Sequence, residues 1–330
     1  MKVIEKVGRS HWIDVAQSCP YATYYHTPYW ADLMGKTFFY KDITKGFVFD
    51  DGTRVILPFM YKKRSFLKGG LNDYISGPPY TYGGPISERK LDAQELNEIN
   101  EYITHTFKNY NTILIRGNPL TRNLAISGFQ RVEDCSYVLE LYKYEDEGHL
   151  FKSYSSLSRN CINKAKRNSM LTIKEQGTLK EFEKLYDIYQ GSVKYWRADL
   201  TRYPLKLFQN AFFLKNKHMK FWASYYKNKM IGGDIKFYWN DHCCWWLSYY
   251  DREYSDLGAR RYRMHIDAID CKTKGLKFYD LGQTAGKRGL EFFKESLAGK
   301  VYPHIAWLKE NKILKEMRHI KNMVINKLKP

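Results

Sequence analysis

Hydrophobic and polar residues recur with two different periods along the chain, which predicts a mixture of strands and helices. Residues 47–63, FVFDDGTRVILPFMYKK, hold two strand-like runs around an Asp-Gly turn, and this arrangement predicts a β-hairpin. Residues 87–110, SERKLDAQELNEINEYITHTFKNY, have a helical period, with Ser87 as the expected N-cap. Residues 71–87 are dense in glycine, proline and tyrosine, so we expect a structured loop there.

The second half of the chain repeats this mixture. Residues 151–170 predict a helix with many basic residues and no acidic one. Residues 219–251 predict three antiparallel strands joined by short polar turns. A helix over 258–275 and a strand over 276–282 follow. The similar content of the two halves indicates an α/β (α+β) fold with two related domains, each built on a mainly antiparallel sheet flanked by helices.

A length of 330 residues also favours two domains. We expect an N-terminal domain over 1–148 and a C-terminal domain over 149–330. Residues 305–330 combine many lysines with an amphipathic period, which predicts a basic helix at the C-terminal end. Such a helix either packs on the second domain or rests on an anionic membrane surface.

Composition narrows the class of protein. Hydrophobic residues make up 44% of the chain and aromatic residues 16%, so packed cores are expected rather than disorder. A net charge of +19 fits a basic protein without a specific partner, and equally a partner with phosphates, an RNA or an anionic membrane. The six cysteines include no CxxC pair, and no segment has the apolar length of a signal peptide or membrane span. We therefore expect no metal site, no disulfide framework and a cytoplasmic location.

Two segments of the second half carry candidate chemistry. In IGGDIKFYW (231–239), Asp234 follows two glycines on a strand, where it either pairs with Lys236 or orients and deprotonates a substrate amine. In YSDLGARRYRMH (254–265), Gly258 stands at a helix start before three arginines. Free amides and guanidinium groups at that position bind phosphate, and the alternative is a charged outer helix face.

The segment DLGQTAGKRGLEFFKESLAGK (280–300) has a glycine-rich loop followed by an apolar stretch that contains Lys294. With RNCINKAKR (159–167), it resembles the FemAB/FemX family, the nonribosomal peptidyltransferase branch of the GNAT acyltransferases. The resemblance covers most of residues 150–300 and is weaker over 1–145. It implies two tandem GNAT-like domains and acyl transfer to an amine.

The resemblance also implies roles for individual residues. The Phe-Lys pair at the family's reaction centre matches Phe293 and Lys294, and a lysine there would stabilise the oxyanion that forms when an amine attacks an acyl carbonyl. A surface ion pair is the alternative for Lys294. In the mechanism that we expect from the residues themselves, the amine attacks directly and Asp234 or a water accepts the proton. Donor phosphates would bind at Gly258, Ala259, Arg260, Arg261 and Arg263. The acceptor would contact Arg197, Arg202, Tyr249, Tyr250, Tyr80 and Tyr82.

These observations predict an N-acyltransferase that moves an acyl group from acyl-CoA to the amine of a nucleotide-linked amino sugar, such as a dTDP or UDP sugar. Such a reaction would feed the synthesis of surface polysaccharide, for example the O-antigen of lipopolysaccharide. No tightly bound cofactor is expected. One alternative is a transferase that uses aminoacyl-tRNA and acts on a peptidoglycan precursor, and the other is a binding protein on the membrane surface.

Overall fold

The computed structural model describes residues 1–63, 72–78, 81–108, 110–121, 128–196, 203–284, 286–311, 313 and 316–317. These residues divide into two compact units. The first consists of Met1–Tyr21, Tyr25–Asp134 and the chain from Pro303 onward. The second consists of Ala22–Tyr24 and Cys135–Tyr302.

The first unit is a mixed α/β structure. Its elements are β1 (Lys2–Ile4), α1 (Arg9–Ser18), α2 (Pro28–Phe38), β2 (Lys41–Asp42), β3 (Lys45–Val48), β4 (Arg54–Leu57), β5 (Met60–Lys63), β6 (Asn72–Ser76), β7 (Ile86–Ser87), α3 (Ala93–Thr106) and β8 (Tyr110–Arg116). The strands β1, β3, β4 and β7 form one antiparallel sheet in that order. The hairpin prediction is confirmed, because β3 and β4 pair across a turn in which Gly52 has a φ of 85°.

Two local predictions for the first unit were wrong. The helix α3 begins after Asp92, whose carboxylate accepts the Glu95 amide at 2.9 Å, while the Glu95 side chain accepts the Asp92 amide. Ser87, the expected N-cap, lies in β7 instead. The segment expected to be a loop contains β6, which pairs in parallel with β8. The core of this unit packs the inner faces of α3 and β8 against the hairpin, through Phe47, Val55, Leu57, Phe59, Ile99, Ile103, Ile113 and Ile115.

The second unit is a sheet flanked by helices. Its elements are α4 (Glu147–Ser153), α5 (Ser156–Lys166), β10 (Leu171–Gln176), α6 (Leu179–Trp196), α7 (Leu205–Phe213), β11 (Met219–Tyr226), β12 (Lys229–Trp239), β13 (His242–Tyr250), α8 (Ala259–Thr273), β14 (Phe278–Gln283) and α9 (Arg288–Glu295). The chain passes between the units within β9 (Gln130–Glu140) and β15 (Lys300–Glu310). The strand order in this unit is β10-β11-β12-β13-β14-β9.

The predicted three-stranded meander is confirmed, because β11, β12 and β13 pair in antiparallel order, with one register shift at Ser224/Tyr225 and another at Ile235/Lys236. The next strand, β14, runs parallel to β13 after the crossover through α8, as a strand–helix–strand unit requires. The two parallel strands pair only from His242↔Phe278 to Cys244↔Asp280, although both continue further. Their ends therefore provide unpaired strand edges on which a site can be built.

The units differ from the expected domains at two positions. The first unit ends at Asp134 rather than at residue 148, and the chain returns to it from Pro303. The second difference concerns the helix expected over 305–330. Its first residues, up to Glu310, belong instead to the strand β15, which pairs with β8. Most of the rest of that segment lies outside the described residues, so its membrane contact stays a prediction. No helix among the described residues is long and apolar enough to cross a membrane.

Candidate active site

The first component of the site is the start of α8, where the chain must contain glycine. Gly258 caps the helix with a φ of 71°, a conformation that side chains other than glycine adopt at a cost. A Cβ atom at this position would lie 2.4 Å from the carbonyl oxygen of Cys161 on α5. Gly258 therefore lets the first turn of α8 pack directly against the backbone of α5.

The second component is a β-bulge at the end of β14. Asp280 faces Val138 of β9 and Gln283 faces Ser136, so two residues of β14 stand opposite one residue of β9. Gly282 in the bulge has a φ of 73°, and its amide donates to the Asp280 carboxylate at 2.7 Å. The bulge directs two successive main-chain carbonyl groups toward α9.

Lys294 on α9 receives both carbonyl groups. Its Nζ atom donates to the carbonyl oxygens of Gly282 and Gln283, each at 2.8 Å, and the residue is only 2% exposed. Burial lowers the pKa of Lys294 to about 7, and the nearby Arg260 adds to the lowering while Asp280 opposes it. The alternative reading of Lys294 as a surface ion pair is therefore wrong.

Arg260, on the first turn of α8, lies in an aromatic box. The guanidinium carbon is 4.2 Å from the ring centre of Phe293 and 5.3 Å from those of Trp245 and Tyr250. Its Nε atom is buried without a hydrogen-bond partner, and no carboxylate among the described residues forms an ion pair with it. Burial lowers the pKa of Arg260 to about 10, so the guanidinium is still cationic at neutral pH.

The other two arginines expected to bind the donor have partners inside the protein. The Nε atom of Arg261 donates to the Ser158 hydroxyl at 3.1 Å, which ties α8 to α5. Arg263 is fully buried, and its Nε atom donates to Asp234 at 2.6 Å. Arg263 therefore does not face a donor phosphate in this structure, whereas Gly258, Ala259 and Arg260 lie together at the helix start.

Asp234 belongs to a buried cluster of four charges, which we call the charge quartet: Asp234, Lys236, Arg263 and Asp267. All four side chains are at most 1% exposed. Lys236 contacts Asp267 and lies 3.5 Å from Asp234. Burial lowers the pKa of Lys236, but the two carboxylates outweigh this and hold it above its ordinary value, so the lysine is charged.

This placement does not support Asp234 as the acceptor of a substrate proton. Its carboxylate is fully buried and is already paired with two cations of its own unit. The neighbouring glycines also serve packing rather than ligand approach. A Cβ atom at Gly232 would lie 2.9 Å from the Tyr249 carbonyl oxygen, and one at Gly233 would lie 2.8 Å from the Phe221 ring.

The structure brings together only some of the residues expected to bind the acceptor. Tyr250 contacts Arg260, whereas Tyr249 is buried and packs on Tyr189 of α6 with a ring separation of 4.8 Å. Tyr82 is a buried residue of the first unit. The remaining three, Arg197, Arg202 and Tyr80, lie outside the described residues.

Sequence reasoning missed Trp245 as a site residue. Its ring contacts Arg260 and stacks near Phe293, with ring centres 6.5 Å apart, and its indole Nε1 atom is buried without a partner. Trp245 lies on β13 directly after the last residue that pairs with β14, a position that only the strand register reveals. Taken together, the site holds the buried amine of Lys294 and the guanidinium of Arg260, which lies between aromatic rings and has no ion-pair partner among the described residues. This arrangement suits stabilisation of a developing negative charge. The described residues contain no cluster of side chains able to hold a metal ion.

Residues 154–295 match a family model described as an acetyltransferase (GNAT) domain, which indicates an acyl or aminoacyl transferase. No curated protein sequence matches the chain. The crystal structure of FemX matches with a TM-score of 0.71 at 13% identity, over 92% of this chain and 97% of FemX.

Two further structures have the same fold. The C-terminal domain of a protein assigned as a lysylphosphatidylglycerol synthetase from Agrobacterium fabrum has a TM-score of 0.59 at 12% identity, over 95% of this chain and 94% of that domain. A protein of unknown function from Bacteroides thetaiotaomicron has a TM-score of 0.57 at 14% identity, over 93% of this chain and all of that one. Residues 154–295 therefore form an acetyltransferase (GNAT) domain, and the chain has the fold of FemX.

Proposed function

We propose that the protein is an N-acyltransferase that moves an acyl group from acyl-CoA to the amine of a nucleotide-linked amino sugar for surface polysaccharide synthesis. The observation that supports it most is the position of Lys294 and Arg260 beside the unpaired ends of β13 and β14, next to the glycine-capped start of α8. The amides of that helix start suit the phosphates of a coenzyme or nucleotide.

In this proposal the amine attacks the acyl carbonyl carbon directly. The carbonyl oxygen becomes negatively charged in the transition state, so a cation beside it lowers the barrier. The rings of Phe293 and Trp245 lie against Arg260. In this proposal they keep water away from the developing charge, which strengthens the interaction between charges. The sequence assigns the charge-stabilising role to Lys294, and Arg260 is a second cation within the site.

Calorimetric titration with coenzyme A, at moderate salt, tests the donor. Micromolar binding supports the acyl-CoA donor, and thiol release with UDP- and dTDP-linked amino sugars then tests the reaction. Lys294→Ala should lower the rate by roughly a hundredfold or more, as removal of an oxyanion-stabilising group does. Lys274→Ala, which changes an exposed lysine at the far end of α8, is the matched control and should leave the rate unchanged. A folded protein that binds no coenzyme A would contradict this donor.

Exposed basic residues favour a second candidate, a transferase that takes its acyl group from aminoacyl-tRNA. Lys164, Lys166 and Arg167 are exposed at the end of α5, the helix that packs on the start of α8, and the whole chain carries a net charge of +19. Transfer of a labelled aminoacyl group from tRNA to a UDP-linked peptidoglycan precursor tests this reaction. Activity should fall steeply between low and moderate salt, because tRNA binding releases counterions. Turnover that is independent of salt would count against an RNA donor.

A further inference from the structure

Lys294 and Arg260 are two cationic side chains in the same site with very different hydrogen bonding. Besides its bond to carbon, the Lys294 Nζ atom has three positions for a hydrogen or a lone pair. Two of these positions hold N–H groups that donate hydrogen bonds to carbonyl oxygens of β14. The Arg260 guanidinium has aromatic contacts, and its buried Nε atom has no hydrogen-bond partner. This difference indicates that Lys294 and Arg260 have different roles in the reaction.

The stereochemistry of Nζ defines what Lys294 can do. A neutral amine has two N–H bonds, and both are used by the carbonyl oxygens of Gly282 and Gln283 at 2.8 Å. The lone pair then occupies the third position. A carbonyl oxygen accepts but does not donate, so these two contacts hold the amine in place without supplying a proton to that lone pair. The same two contacts persist when the third position is protonated.

The groups around Lys294 do not fix it in the charged state. Asp280 on β14 favours the ammonium form, whereas Arg260 on α8 opposes it. Tyr137 and Cys135 face it from β9, with the Tyr137 ring centre 5.8 Å from Nζ. Burial among these groups lowers the pKa of Lys294 to about 7, so neutral and charged forms coexist near physiological pH.

We propose that Lys294 accepts the proton released by the attacking amine, and that Arg260 is the cation that holds the oxyanion. This inference rests on the proposed N-acyl transfer and reverses the role that the sequence predicts for Lys294. It applies to a thioester donor and to an ester donor alike.

The amine nitrogen forms a bond to the acyl carbon, and the carbonyl electron pair moves to the oxygen beside Arg260. A proton passes from the new ammonium nitrogen to the lone pair of Lys294. The intermediate then re-forms the carbonyl and breaks the bond to sulfur or oxygen, and Lys294 returns the proton to that leaving group. The products are an amide and a free thiol or hydroxyl, and Lys294 is neutral again.

Competitive labelling with acetic anhydride tests the state of Lys294 without any substrate. Only a neutral lysine reacts, so the extent of labelling of the Lys294 peptide, measured by mass spectrometry across pH, gives its midpoint. We expect a midpoint near pH 7 in the wild type. Arg260→Met should move it to higher pH, because it removes a neighbouring cation. Arg288→Met is the matched control, since Arg288 is exposed at the start of α9, and it should leave the midpoint unchanged.

Three labelling results would overturn the proposal. The first is a wild-type midpoint near the ordinary lysine value, and the second is a midpoint that does not respond to Arg260→Met in a folded variant. The third is the absence of labelling at every pH, because a group that a small reagent never reaches cannot touch a substrate. Since the labelling uses neither acyl-CoA nor aminoacyl-tRNA, these outcomes are independent of whether the proposed function is correct.

Single-turnover rates, measured with whichever of acetyl-CoA or alanyl-tRNA supports transfer, test the division of roles. Hydroxylamine serves as the acceptor, because it loses its proton at a much lower pH than an ordinary alkylamine does. A proton-accepting Lys294 predicts a rate that rises with pH through about 7, whereas a charge-stabilising Lys294 predicts a rate that falls there. Lys294→Arg should lose about a hundredfold or more, because arginine cannot accept a proton, and Arg260→Lys should retain more activity than Arg260→Met. Substantial activity of Lys294→Arg would refute the assignment.

Discussion

Replacing Asp234 by asparagine would test whether the charge quartet is structural. The quartet contains two carboxylates and two cations, all at most 1% exposed, and its net charge is zero when both carboxylates are ionised. Burial raises the pKa of Asp267 to about 7, so the comparison is made above that pH. Asp234→Asn keeps the size of the side chain but leaves Arg263 and Lys236 facing Asp267 alone, with one uncompensated positive charge. Removing one partner of a buried pair costs about 3–5 kcal/mol. For a unit of about 170 residues, this corresponds to a decrease in Tm of roughly 6–20 °C.

Urea denaturation followed by circular dichroism measures this free energy of unfolding. Asp187→Asn is the control, because Asp187 forms an exposed ion pair with Lys184 on α6 and should change stability by less than about 1 kcal/mol. Arg263→Met combined with Asp234→Asn returns the quartet to zero net charge, so the double variant should be more stable than Asp234→Asn alone. A loss below about 1 kcal/mol for Asp234→Asn would refute the structural role and reopen a catalytic one.

Three further predictions concern other parts of the second unit. Gly258→Ala should destabilise the protein more than Gly275→Ala in thermal unfolding. Both glycines have positive φ, a conformation that costs an alanine about 1–2 kcal/mol. Only at Gly258 would the new Cβ atom also meet a backbone atom, at 2.4 Å. The stability of the wild type relative to Lys294→Met should fall by up to about 1.4 kcal/mol per pH unit as the pH decreases from 10 to 8. In this range the unfolded chain takes up a proton at Lys294, whereas the folded protein does not, because its Lys294 has a pKa of about 7. Denaturation at several pH values measures this difference, and equal pH dependence of the two proteins would refute the prediction. Titration of the native protein with a thiol reagent should modify the half-buried Cys135 and Cys161. The buried thiols of Cys19, Cys243, Cys244 and Cys271 should react only after unfolding, and their reaction in the native protein would contradict the structure.

The sequence predicted the fold well wherever local signals determine the structure. The hairpin and the meander depend on tight turns, and Gly52, Asn228 and Asn240 all adopt the positive φ values that those turns need. The position of Gly258 at a helix start was also predictable, because no side chain fits there. The Phe-Lys pair was found through the family resemblance, since spacing alone does not distinguish a buried lysine from an exposed one.

The sequence could not predict features that depend on contacts between distant segments. The partner of Asp234 is Arg263, which is 29 positions away on a different element, so the ion pair depends on how α8 packs on β12. The end of the chain was misread for the same reason. Residues 306–310 have a helical amphipathic pattern, but pairing with β8 makes them a strand. The bulge of β14 likewise becomes visible only through its register with β9.

The carbonyl anchors of Lys294 affect how this site can diversify during evolution. Both anchors belong to the main chain, so no side-chain replacement at Gln283 can delete the acceptor that holds the lysine. Gly282 is different, because its positive φ maintains the bulge that orients both carbonyl groups. Related enzymes can therefore vary the side chains around the lysine, and with them the choice of substrate, while the lysine itself stays in place. A library for altered specificity should randomise Gln283 and leave Gly282 fixed.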